Sequence, residues 1–239
     1  MSDSPAHFRT TQWSIVLTAR QSDCTQARAA MEKLCRTYWQ PIYWFVRRRG
    51  YSLSDAQDLT QEFFARLLDK NALETIDPAR GKFRSFLLAS MKHFLANEWD
   101  KARAQKRGGG KNVFSIDAAS AETGLSAAPA DERTPESIFE RRWAIAVLDQ
   151  VLGELREAYH RDGKAELFDQ LKPALVGDGK ADGYATIATR LETTEGAIKT
   201  AVHRLRQRYR EILRSQIGQT VSRPDEIDNE IRDLFAAIQ

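Results

Sequence analysis

The chain has only two cysteines among 239 residues, Cys24 and Cys35, too few for a disulfide scaffold and at no metal-ligand spacing. If both lie on one helix, eleven residues at about 1.5 Å each set them roughly 16 Å apart, beyond the reach of a disulfide. A reducing, cytoplasmic location is therefore expected. No apolar run approaches the roughly 18 residues of a membrane span. The N-terminal residues show no basic segment followed by an apolar stretch, so no secretory signal is expected. The four histidines, His7, His93, His160 and His203, are scattered. There is no glycine-rich phosphate loop, nucleophile elbow or pair of catalytic carboxylates. Gly108, Gly109 and Gly110 follow a helical pattern rather than a strand, so they read as a linker. An enzyme, a metal site and a bound cofactor are all unexpected. Charge of one sign is also scarce: 36 basic against 33 acidic residues leave a net +3, so bulk charge alone argues for no nucleic-acid partner.

What is present is helical periodicity, with no convincing alternating strand. The fold class expected is all-α. A short segment spans Gln12 to Arg20, and a helix reads from Thr25 to Arg49, stopped by Gly50. The next starts near Ser54, with Ser54 as N-cap and Asp55 in its first turn, and runs out at Asn71. Pro78 and Gly81 mark a loop before a long helix from Phe83 to about Arg107. Residues 108 to 135 are poor in large apolar side chains and read as a flexible tether. The expected organisation is thus two small helical domains, 1–107 and 136–217, joined by the linker 108–135. A C-terminal amphipathic helix follows within 218–239. Its apolar positions are Ile227, Ile231, Leu234, Phe235 and Ile238, its other face is acidic, and it is expected to pack on the second domain.

Basic residues cluster twice. One group is Lys101, Arg103, Lys106, Arg107 and Lys111; the other is Lys199, Arg204, Arg206, Arg208, Arg210 and Arg214. Tyr184 to Leu191, Glu192 to Thr194 and Glu195 to Ser215 read as helix, tight turn, helix, with Thr194 positioned to cap the second helix. Ile198, Val202, Leu205, Tyr209 and Ile212 form its core stripe. This leaves Lys199, Thr200, His203, Arg204 and Arg206 on or beside the exposed face. In a helix-turn-helix that face enters the major groove, where such side chains reach base edges and phosphates. An amphipathic helix with a merely solvated basic face is the plainer reading.

Gly196 to Arg206, Gly-Ala-Ile-Lys-Thr-Ala-Val-His-Arg-Leu-Arg, resembles the promoter-reading helix of extracytoplasmic-function (ECF) sigma factors of the sigma-70 family, and Tyr184, Ile187, Ala188 and Leu191 match the helix before it. The resemblance implies that Lys199, Thr200, His203 and Arg204, with Arg206 as a further contact, touch the upstream (minus thirty-five) element. One departure falls in the turn: Glu192 stands where glycine is usual, and glycine adopts a left-handed conformation more cheaply.

The first hundred residues carry the rest of the resemblance. Asp55-Ala-Gln-Asp-Leu-Thr-Gln-Glu-Phe-Phe64 is similar to the family motif D-A-x-D-L-x-Q-E-x-F. Helical geometry is read as putting Asp55, Asp58 and Glu62 on one face, opposite Leu59, Phe63 and Leu67, with Gln61 flanking the acidic ridge. The resemblance implies that Asp55, Asp58, Gln61 and Glu62 dock on core RNA polymerase. Phe83, Arg84 and Leu87 match a second family segment, with Phe86, His93 and Asn97 as substitutions within it. That segment implies contact with the downstream (minus ten) element through Lys92, His93, Asn97, Lys101 and Arg103, and a base-holding loop over Asn71 to Lys82. Trp39, Trp44 and Trp99 could stack on bases, but helical spacing favours core positions. The implied partners are core polymerase and promoter DNA, with an anti-sigma factor or a regulatory protein kinase as further candidates. A phosphate on Thr60 would add charge beside the acidic ridge, although Thr60 points to the apolar side. Two readings compete with a sigma factor: a helix-turn-helix regulator that binds duplex without polymerase, and a sequestering interaction module.

Overall fold

The computed structural model describes residues 24–67, 81–107, 133–176 and 183–239. Among them the chain is all-α, with nine α-helices and no strand. The segment 12–20, most of the expected linker and residues 71–80 of the expected base-holding loop lie outside the described residues. The helices fall into two compact units: the residues up to Ala146 together with Ile217–Gln239, and Val147–Gln216.

In the first unit, α1 (Cys24–Arg48) carries both Cys24 and Cys35 and ends at Gly50, whose φ of 90° a side chain would resist. Helix α2 (Leu53–Leu67) begins earlier than expected, because Ser52 rather than Ser54 is its cap. The Ser52 hydroxyl accepts a hydrogen bond from the Asp55 amide (3.1 Å) and donates to the Asp55 carboxylate (2.8 Å), which satisfies an otherwise orphaned donor. Helix α3 (Phe83–Arg107) has the expected bounds. Leu34, Tyr38, Ile42 and Phe45 of α1 are buried, as are Leu59 and Phe63 of α2 and Phe83, Leu87, Met91 and Phe94 of α3. Tyr38 meets Phe83 edge-on at 5.4 Å and Phe63 meets Phe94 at 5.8 Å.

Two further pieces belong to this unit, and both depart from the expected layout. Helix α4 (Pro135–Arg161), capped by Thr134 (Ser137 amide to hydroxyl, 3.2 Å), was expected to open the second domain. Its first half instead contributes Phe139, Trp143 and Ala144 to the buried interior of the first unit. The C-terminal segment, a 3₁₀ turn (Pro224–Glu226) leading into α9 (Ile227–Ile238), was expected on the second domain and also groups with the first. Its supposed acidic outer face is not wholly outer: Glu230 is fully buried, whereas Phe235 of the apolar set is 41% exposed.

The second unit begins with the remainder of α4, which stops in a paired C-cap. Gly163 (φ 69°) donates to His160 O at 3.1 Å and Lys164 donates to Tyr159 O at 2.8 Å. Short helices α5 (Ala165–Leu171), α6 (Pro173–Val176) and α7 (Tyr184–Arg190) follow, then α8 (Glu195–Ile217). Leu155, Phe168, Leu171, Ile187, Ala188, Ile198, Val202 and Leu205 form one buried cluster, with Tyr209 and Ile212 packed against it. The expected core stripe of α8 is therefore the actual one.

Candidate functional site

Helix α2 buries one broad face and leaves its polar residues exposed to different degrees. Ala56, Thr60 and Phe64 are buried along with Leu59, Phe63 and Leu67, so the apolar arc is wide. Asp58 and Gln61 are exposed, while Asp55 and Glu62 are half-buried. Asp55 is engaged by Ser52, and Glu62 pairs with Arg66 one turn on. Thr60 is inaccessible, its hydroxyl donating to Ala56 O at 2.6 Å. A kinase acting on the folded chain could not reach it.

Arg66 is a residue that sequence reasoning missed. Its guanidinium joins Glu62 of α2 to Glu98 of α3 at 2.9 Å and lies 5.0 Å over the Phe94 ring. Glu98 in turn accepts from Lys101 at 2.9 Å. Burial alone would raise the Glu98 pKa, but the hydrogen bonds from Lys101 and Arg66 hold it below the usual carboxylate value. A chain of four charges thus connects a candidate polymerase contact, Glu62, with a candidate DNA contact, Lys101. The spacings Glu62/Arg66 and Glu98/Lys101 are helical pairs visible in the sequence; the cross-helix link between Arg66 and Glu98 is not.

On α3, Lys92, His93, Asn97, Lys101 and Arg103 are all exposed. Lys92 is held at 2.9 Å by Glu136 of α4, whose pKa that hydrogen bond lowers. Trp99 is not the core residue its spacing suggested, being 44% exposed. Trp39 stacks on Phe64 (ring centroids 5.7 Å apart), and Arg142 covers Trp44 at 4.7 Å.

In the second unit, α7 and α8 are joined by a turn that keeps a left-handed residue despite the missing glycine. Glu192 has φ 51°, with Glu192 donating to Thr189 O at 3.3 Å and Thr193 to Ala188 O at 2.9 Å. Thr194 then caps α8, accepting from the Ala197 amide at 3.2 Å. Lys199, Thr200, His203, Arg204 and Arg206 are all exposed. Thr200 and Arg204 border a groove shared with Tyr159, Arg161, Lys164 and Arg208. Lys199, His203 and Arg206 border a smaller hollow on the other flank, with Tyr184 and Arg210. Arg206 donates to Ala174 O at 2.9 Å, which ties it to α6, and Lys199 is paired with Glu195 at 2.8 Å. Arg161 and Lys164 were not singled out in the sequence, because they lie far from α8 along the chain.

Residues 34–105 match the family model of sigma-70 region 2. This part of the chain is a sigma-70 region 2 domain. The match supports a sigma-factor role in promoter recognition for this part of the chain. The region 2 match takes in α2 with Asp55, Asp58, Gln61 and Glu62, and α3 with Lys92, His93, Asn97, Lys101 and Arg103. It does not reach α7 and α8. No curated protein and no solved structure matches the chain. Among the described residues, no helix is long and apolar enough to cross a membrane.

Proposed function

We propose that the chain is an ECF-type sigma factor: a bacterial, cytoplasmic, non-catalytic subunit that binds core RNA polymerase and directs it to specific promoters. One observation carries this reading. A region 2 match and a capped helix-turn-helix with a basic second helix occur in separate compact units of one chain. A regulator that only binds duplex DNA has no use for the first of these.

In this reading Asp58 and Gln61, with Asp55 and Glu62 at their side, dock on polymerase. The exposed face of α3 engages the downstream element, and Trp99 supplies a flat surface on which an unpaired base can stack. The N-terminal half of α8 enters the major groove of the upstream element. Arg204 there has access to base edges or phosphates, and Arg161 and Lys164 extend the positive strip toward the DNA backbone.

The test is binding to core polymerase and to promoter DNA with two substitutions. Asp58→Lys is expected to weaken association with core at least tenfold while leaving helix content unchanged. Arg204→Ala is expected to weaken upstream-element binding by about 1–3 kcal/mol without affecting association with core. A wild-type chain that binds duplex but never core polymerase would leave the plain helix-turn-helix regulator as the correct reading.

A further inference from the structure

The first unit contains a buried ionic cluster at the start of α3, apart from the residues proposed to dock on polymerase. Arg84, 7% exposed, donates from Nε to one carboxylate oxygen of the fully buried Glu230 at 2.6 Å and from a terminal nitrogen to the other at 3.1 Å. The same guanidinium reaches Glu140 and Asp233 (3.2 Å for Asp233) and lies 4.7 Å over the Trp143 ring. Lys82 completes the cluster, 2.7 Å from Glu230 and also paired with Asp233. Burial alone would lower the pKa of Arg84, but the hydrogen bond to Glu230 and the charge of Glu140 hold it high, so the cation persists.

The same C-terminal segment also closes the start of α3 through the backbone. The Phe83 amide, one of the donors that α3 cannot satisfy internally, donates to Thr220 O at 3.1 Å. The Ser222 hydroxyl donates to Gly81 O at 3.1 Å.

This attachment is ionic more than apolar. On α9 only Leu234 is a fully buried hydrophobic residue, while Phe235 remains 41% exposed. A helix of 12 residues is not stable by itself in water. The hold of the segment on the unit therefore rests largely on the ion pairs of Glu230 and Asp233. Lys82 closes the loop expected to hold a base of the downstream element, so the carboxylates of α9 sit on a cation that the DNA reading calls for.

We infer that the C-terminal helix is an intramolecular latch: Glu230 and Asp233 occupy the Arg84/Lys82 site at the start of α3 in the free protein and leave it when the chain engages core polymerase. The inference rests on the sigma-factor reading above.

Hydrogen exchange of the α9 amides and affinity for core polymerase test it together. In the wild-type chain, the α9 amides should exchange at least tenfold faster in the core complex than in the free protein. Asp233→Lys, at a half-exposed position, places a third positive charge beside Lys82 and Arg84. It should speed α9 exchange in the free chain by a similar factor and tighten core binding at least fivefold. Asp225→Lys, which makes the same charge change outside the cluster, should do neither. Equal α9 protection in free and bound wild-type protein would overturn the latch, whatever the variants do. So would core binding by Asp233→Lys no tighter than by Asp225→Lys. If wild type and variants all fail to bind core, the functional reading falls first and the latch with it.

Discussion

Glu192 is the only non-glycine among the described residues with a positive φ, 51°, and it sits at the turn between the two helices proposed to hold the upstream element. A left-handed conformation costs an L-residue roughly 1–2 kcal/mol, and glycine, with no Cβ, avoids it at an entropic cost of about 0.5–1 kcal/mol. The turn keeps its two C-cap hydrogen bonds, so the strain is borne by a geometry that is otherwise complete. Glu192→Gly should stabilise the second unit by about 0.5–1 kcal/mol, seen as a higher urea midpoint with an unchanged slope. A midpoint that stays put or falls would mean that the glutamate side chain contributes more than the backbone loses. The departure was legible in the sequence because glycine is the usual residue there. The conformation the chain would choose was not, since Glu192 could equally have forced a different turn.

At the scale of elements, α3 and the core stripe of α8 were legible because their apolar periodicity is long and uninterrupted. The start of α2 was not, because Ser52 and Ser54 are both good caps and only the hydrogen bond from Asp55 decides between them. Ala56 and Thr60 look neutral in a sequence, yet both are buried, and they widen the apolar face of α2. What no pattern within one helix reveals is contact between helices, and the Arg66–Glu98 pair is of that kind. Its consequence is a pH dependence with a definite sign. Glu98 has a folded-state pKa below its ordinary value of 4.5, so its contribution to stability is present above about pH 4.5 and is lost as pH falls through the folded value. Glu98→Gln should therefore be less stable than wild type at pH 6, and the gap should narrow as pH falls below about 4.5. Denaturant melts of both proteins across that range measure it. A constant gap down to pH 3 would show that the carboxylate's charge is not what joins α2 to α3.

For the molecule as a whole, two compact units with separate buried cores predict that damage to one core should be read out in one activity. Leu205 is fully buried in the second unit and Phe63 is 3% exposed in the first. Truncating either to alanine removes a large apolar side chain and leaves a cavity, at a cost of about 2–5 kcal/mol. That is a large share of a small unit's stability. The coupling between units works against a clean separation, because α4 and α8 each run from one unit into the other without a break. Leu205 lies about three turns of α8 before the crossing at Ile217, and Phe63 is on α2, which belongs wholly to the first unit. The local effect should win. Leu205→Ala is accordingly expected to abolish upstream-element binding at 37 °C while retaining association with core polymerase, and Phe63→Ala to lose association with core while its second unit still binds duplex. Binding assays run in parallel with both substitutions decide it. If either one removes both activities at once, the two units fold as a single cooperative body, and the assignment of one partner to each unit would have to rest on contacts rather than on modularity.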